Sequence, residues 1–285
     1  MVSMIRTRLP DEPLSRLAVW ARRVAVFSVP VVLLAIVIVR GGLLEIVPAL
    51  ATFGGALALA AVAILLALGA FVVIWQEGLR GAGHAVLAFL IGIAILAYPA
   101  YLAVRAYRLP AINDITTDPA DPPRFEAIAR LRSRDANPIA YAGLRAAELQ
   151  RAAYPDIEPL LLNVPPQQAY ETALGILTRR KWRIVDSRPP QPGRRDGLIE
   201  AVARTPIMGF RDDVVVRVRP APGGARVDAR SASRYGRSDL GANARRVRAL
   251  LEDIDDAAGA EEEKPKKAAP PPPPPSRKAQ APGRR

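Results

Sequence analysis

Chemistry in this chain would have to come from Asp, Arg and Ser, because its 285 residues include one His and no Cys. Asp212, Asp213 and Asp228 are the carboxylates that could exchange protons in hydrolysis or hold a divalent metal. Asp212 and Asp213 are neighbours at the start of a β-type run, so a strand sends their side chains to opposite faces and separates them as a dyad. Asn113, Asp114, Asp118 and Asp121 offer oxygen ligands for a cation, or Asx side chains that cap turns. Arg230, Arg234, Arg237 and Ser238 lead into a helix start, where free N–H groups and cationic side chains suit a phosphate or carboxylate. Structural capping and salt bridging is the competing reading there, and an ionised Asp239 at the cap would oppose an anion. Disulfide scaffolds, Cys-based zinc modules, iron–sulfur proteins, thiol enzymes and Ser/His/Asp hydrolases all lack their residues. No catalytic set, metal centre or cofactor emerges from the residue types.

These side chains must be placed by a folded unit in the C-terminal half. Residues 158–164 read as a strand, and Pro165-Pro166 opens a helix with Tyr170, Ala173, Leu174 and Leu177 on one face. Strands follow at 182–185, 198–204, 213–219 and 226–233, then a helix over 239–254 with Leu240, Val247, Leu250, Leu251 and Ile254 at helical spacing. The order β-α-β-β-β-β-α predicts a two-layer α+β domain with an antiparallel sheet and helices on one face. Period two then places Glu200, Arg204, Arg217, Arg219, Asp228 and Arg230 on the face away from the helices. That face is either a solvated sheet braced by cross-strand ion pairs or an Arg-lined platform for an anionic ligand.

The N-terminal part is apolar. Residues 18–39, 46–75 and 82–104 each meet the length of a membrane span, with the second helix expected to start after Pro48. The first reads as an uncleaved anchor rather than a signal peptide, since no Ala-x-Ala-like site follows it. Tyr98, Tyr101 and Tyr107 beside Arg105 and Arg108 form an interfacial collar. Arg residues before the first span and Arg80 outnumber Arg40, Arg105 and Arg108, which puts the N-terminus in the cytoplasm and everything after the third span outside. His84 lies at the start of the third span and reads as an interface residue rather than a proton relay. The divisions expected are a cytoplasmic segment 1–23, a membrane region of three α-helices 24–104, an extended Pro/Asp-rich connector 105–157, the α+β domain 158–257 and a disordered Pro-rich basic tail 258–285. The net charge of +13 is spread over the N-terminal segment, residues 105–260 and the tail. No dense stripe tracks a nucleic-acid backbone, and a basic protein beside anionic lipid is the simpler account.

Several blocks carry a resemblance. Asn113-Asp114-Ile115-Thr116-Thr117-Asp118 with Pro122-Pro123-Arg124-Phe125, Ile199-Glu200-Ala201, residues 209–218 and residues 227–243 resemble the family catalogued as domain of unknown function 1499, over about residues 109–255. The resemblance implies an N-terminal membrane region and supplies no reaction. The sequence thus predicts a bacterial inner-membrane protein with a periplasmic domain. That domain would bind an anionic lipid, a glycan or another envelope protein, and not nucleic acid. The competing class is a membrane-anchored hydrolase using Asp212, Asp213 or Asp228.

Overall fold

Three long apolar helices open the computed structural model: α1, Arg16–Gly41; α2, Ile46–Glu77; and α3, Ala82–Arg108. All three are long and apolar enough to cross a membrane. The structure describes residues 12–262 apart from 45, 192, 194 and 195. Arg6 and Arg8 of the N-terminal Arg cluster and residues 263–285 of the tail expected to be disordered therefore lie outside the described residues. Alanine lets the helix backbones approach closely, and Ala21, Ala25, Ala63, Ala67 and Ala88 are fully buried between them while larger apolar side chains face outward. Gly92 marks the tightest approach, where a Cβ would stand 2.4 Å from Ile64 Cγ1. Helix α2 begins at Ile46, ahead of the expected start after Pro48. Pro48 then sits in the first turn, where a missing N–H costs no intrahelical bond. Gly42, with φ +65°, closes α1 in the left-handed conformation that glycine adopts freely.

The second unit is an antiparallel sheet with helices on one face. Its strands are β1, Asp114–Thr116; β2, Leu160–Leu162; β3, Arg183–Arg188; β4, Gly197–Arg204; β5, Arg211–Ala221; and β6, Gly224–Ser233. Their order is β1-β6-β5-β4-β3, with β2 pairing the other end of the β6 edge that β1 occupies. Helices α4, Leu144–Ala153; α5, Pro166–Arg179; and α6, Ala242–Glu262 complete the unit. Helices α5 and α6 lie on the face formed by Ile199, Ala201, Val214, Val216, Val218, Val227 and Ala229, and together these residues make the main core. The β-α-β-β-β-β-α order read from periodicity is present, and the chain adds one strand before it.

That added strand lies in the segment expected to be an extended connector. Asp114–Thr116 pairs with Arg230–Ala232 of β6, and Gln150 of α4 extends the pairing like one more strand residue. The Gln150 Oε1 accepts from Thr116 N at 3.1 Å and its Nε2 donates to Thr116 O at 2.6 Å. The chain then crosses the other face of the sheet. Phe125 and Ile128 pack there on Val202, Val215 and Ala232, a smaller core on the side away from the helices. Helix α6 also begins later than its apolar spacing suggests. Leu240 and Gly241 have φ of +53° and +71°, so the helix proper starts at Ala242, and Asp239 caps it through Gly241 N and Asn243 N.

Candidate functional site

Strand alternation delivers the outward residues to one face, and the crossing segment then buries most of them. Glu200 is fully buried, and its carboxylate accepts from Glu126 N and Ala127 N at 2.9 Å and from Ile128 N at 2.8 Å. Asp228, also fully buried, accepts from Arg217 Nη2 at 3.1 Å, Arg219 Nη2 at 2.8 Å and Arg226 Nε at 2.9 Å. Asp118 and Asp121 close this network over the same three guanidinia. Although desolvation pushes the Asp118 carboxyl up, the Asp121 and Ala120 amides with Arg226 and Arg217 hold it below the usual carboxylate range. Asn113, Asp114, Asp118 and Asp121 therefore make turns and ion pairs. Among the described residues, no group of three or more His, Cys, Asp or Glu side chains could hold a metal ion.

Arg230 makes a bidentate pair with Asp114 at 2.9 and 2.6 Å, donates to Pro123 O and Ile139 O, and stacks between Phe125 and Tyr141. Burial and the Asp114 carboxylate, against Arg230, push the Tyr141 hydroxyl up to about 12. Arg234 pairs with Asp213 at 2.7 Å, and Arg132 reaches the other oxygen of that carboxylate at 2.7 Å. Arg230 and Arg234, two members of the anion site expected from the sequence, are thus already neutralised. Arg237 is exposed, and Ser238 Oγ accepts from Leu240 N at 3.3 Å. The α6 N-terminus is filled by Asp239, whose carboxyl burial pushes up. Of the remaining outward residues, Arg204 is exposed, and only a quarter of the Arg219 side chain is. The platform expected on this face is covered, because period two fixes which face a residue takes and says nothing of what lies over it.

The carboxylates proposed for catalysis are likewise engaged. Asp212 faces the helices and accepts from Arg246 Nη2 at 2.5 Å, whereas Asp213 faces the other side, as adjacent strand residues must. Asp228 holds three arginines. None of the three is left free as a base, because each accepts from at least one guanidinium.

A cavity of about 330 Å³ lies between the helical bundle and the α+β unit. Ile46 and Leu50 from the start of α2, Tyr98 and Leu102 from the end of α3, and Ile207 and Phe210 from the β4–β5 turn give it an apolar wall. Arg40, at the end of α1, fixes that turn by donating to Pro206 O at 2.5 Å and Ile207 O at 3.2 Å. Gly209, with φ +69°, passes so close that a Cβ would stand 2.8 Å from Arg40 Cγ. Three arginines line the same cavity: Arg105 in the last turn of α3, Arg211 at the start of β5 and Arg245 in the first turn of α6. Arg105 stacks on Tyr101 with 5.8 Å to the ring centroid. Arg245 Nη1 donates to Leu240 O at 3.4 Å. Among the described residues none of the three forms a salt bridge, although Arg217, Arg219, Arg226, Arg230, Arg234 and Arg246 all do. Partial desolvation and the neighbouring Arg204, Arg234 and Arg183 guanidinia make protonated Arg211 less favourable than usual, and desolvation with Arg105 does the same to Arg245. Asp212 and Asp239 also reach this cavity, the first held by Arg246 and the second by the α6 amides.

Sequence reasoning took Arg105 only as part of the membrane collar and singled out neither Arg211 nor Arg245. The available signal was negative. Arg105 and Arg245 are helix residues and Arg211 lies just before the expected strand 213–219, and only the docking of the bundle end against the β4–β5 turn brings them to one cavity. Residues 114–254 match the model of a family described as protein of unknown function (DUF1499), in agreement with the motifs. No curated protein matches the chain.

Proposed function

With residues 114–254 matching a family of unknown function, we propose from the geometry that this membrane-anchored chain is a binding module that takes an anionic group at the junction of bundle and domain. One observation carries this reading: Arg105, Arg211 and Arg245 line one cavity without a salt bridge, whereas Arg217, Arg230, Arg234 and Arg246 are each paired with a carboxylate. Like charges left together are unfavourable, and an incoming anion would relieve them. Catalysis is disfavoured because Asp212, Asp213 and Asp228 are all held by arginine. The proposed setting is the bacterial inner membrane, with the N-terminus cytoplasmic and the domain periplasmic, where anionic lipid, glycan or another envelope protein would supply the group. The distribution of Arg about the spans supports that orientation.

Binding is tested on the full chain in uncharged detergent, titrated with a short-chain anionic phospholipid, a soluble glycerophosphate and an anionic oligosaccharide. At least one should bind, and Arg211→Gln with Arg245→Gln should weaken it by about tenfold or more, the scale of lost charge-assisted hydrogen bonds. Binding that survives the double substitution unchanged would remove the reading. A reporter fused after Tyr107 that is active only in the cytoplasm should stay inactive, and activity there would reverse the orientation.

A further inference from the structure

The cavity is lined by two chemistries that no small soluble anion needs together. One wall is hydrocarbon from the ends of α2 and α3, and those same helix ends expose Leu50, Tyr98 and Tyr101 at 45%, 46% and 54% to the outside of the bundle. Tyr98 and Tyr101 beside Arg105 are the residues that settle at a membrane–water interface. The wall is therefore continuous with the lipid-facing surface. The opposite side belongs to the domain and brings Arg211 and Arg245, which lie beyond the membrane helices in the chain. Between them the β4–β5 turn presents Ile207, 40% exposed, and Met208, an apolar tip held down on the bundle by Arg40. A smaller space of about 180 Å³, lined by Gly42, Leu44, Ile46 and Arg211 among others, adjoins this one through Ile46, Phe210 and Arg211.

We infer that the occupant is one anionic glycerophospholipid drawn from the surrounding bilayer, its phosphate held by Arg105, Arg211 and Arg245 and an acyl chain lying along Leu50, Tyr98 and Leu102. This rests on the anion-binding reading above and narrows it. A guanidinium is planar, keeps its charge and bonds phosphate oxygens in pairs, which suits it to this headgroup. At about 330 Å³ the cavity stands at the small end of the range of ligand sites, about 300–1,000 Å³. It has room for a headgroup and the first methylenes, so the chain ends stay in the bilayer. A free glycan would leave the aliphatic part of the wall, Leu50, Leu102 and Ile207, uncovered, and a neutral hydrocarbon would leave the arginines unpaired. Asp212 and Asp239 at the domain side carry negative charge that opposes a second phosphate close to the first.

Native mass spectrometry of the full chain released from nanodiscs of phosphatidylcholine with graded phosphatidylglycerol reads the result directly. One phosphatidylglycerol should remain per chain, and soluble glycerophosphate should compete about tenfold or more weakly than dioctanoyl phosphatidylglycerol. Arg211→Gln with Arg245→Gln should lose the retained lipid, and Arg211→Lys with Arg245→Lys should restore part of it. If glycerophosphate alone competes as well as the whole lipid, the lipid inference falls and the anion site stands. If neither binds, both fall. Equal retention of phosphatidylcholine would also overturn the inference. Competition on the unsubstituted chain decides these cases even where the double variant fails to fold.

Discussion

Glu200 shows what a single buried charge does here. Its carboxylate is fully buried and closes three backbone N–H groups of residues 126–128, fastening the covering segment to the sheet. Glu200→Gln keeps the shape but turns one acceptor into a donor that faces donors, and should cost about 2–4 kcal/mol. Thermal unfolding of the full chain in detergent should fall accordingly, with faster proteolysis within residues 117–142. Asp118 adds a pH dependence. Its carboxyl lies below the ordinary value of 3.8, so its stabilisation is complete above that value and is lost as pH falls through the lower folded value. Hydrogen exchange over residues 117–125 should therefore rise below about pH 4. Asp118→Asn should show that faster exchange already at neutral pH, with the Asp118 share of the acid response gone. Asp239 acts with the opposite sign. Burial raises its carboxyl, so its contribution is present below 3.8 and fades as pH rises towards the folded value.

At the scale of elements, two kinds of close packing hold the architecture. In the bundle it is small residues. Gly92→Val would drive a side chain into Ile64 Cγ1, where even a Cβ stands 2.4 Å away, and into Ala60 O at 3.1 Å. Because α2 and α3 cannot part without losing the alanine seam, the substitution should destabilise the bundle by about 1–3 kcal/mol. Loss of cross-linking between cysteines placed on α2 and α3 at this level would report it, and wild-type cross-linking would contradict it. In the domain the close packing is backbone. Gly224 opens β6 beneath Leu162 O, which a Cβ would meet at 2.0 Å, so the short β2 can pair on that edge only with glycine there. Strand order, the α5 and α6 faces and the direction of Asp212 against Asp213 follow periodicity, which is why these were legible in the sequence, whereas strand ends were not: β5 runs over 211–221 where 213–219 was expected, and β2 over 160–162 where 158–164 was. Strand β1 and the 117–142 cover were not, since a three-residue strand and an aperiodic Pro-rich run carry no period to read.

The whole molecule joins a membrane bundle to a charged domain through few residues. Arg40 is the principal tie, reaching Pro206 O and Ile207 O from the end of α1, while Arg204 Nη1 donates back to Arg40 O at 3.4 Å. Arg40→Ala should leave both units folded and release the turn between them. Hydrogen exchange within residues 205–210 should speed by about tenfold, the effect of about 1.4 kcal/mol, while β5 and α6 keep their protection. An unchanged rate would mean that the apolar contacts of Ile207 and Phe210 suffice to dock the turn.

The sequence alone determined the three apolar helices, the β-α-β-β-β-β-α order, the two faces of the sheet and the resemblance of the second half to a family. Each follows from local composition, from a period of 2 or 3.6, or from contiguous motifs, and none needs knowledge of distant contacts. Tertiary structure decided which charges are spent and which are free. Arg217, Arg230 and Arg234 are paired with Asp228, Asp114 and Asp213, up to 116 positions away in the chain. Arg105, Arg211 and Arg245 come together only where the bundle end meets the β4–β5 turn. Whether a guanidinium is available depends on what stands within a few ångströms of it, and spacing along a strand cannot report that.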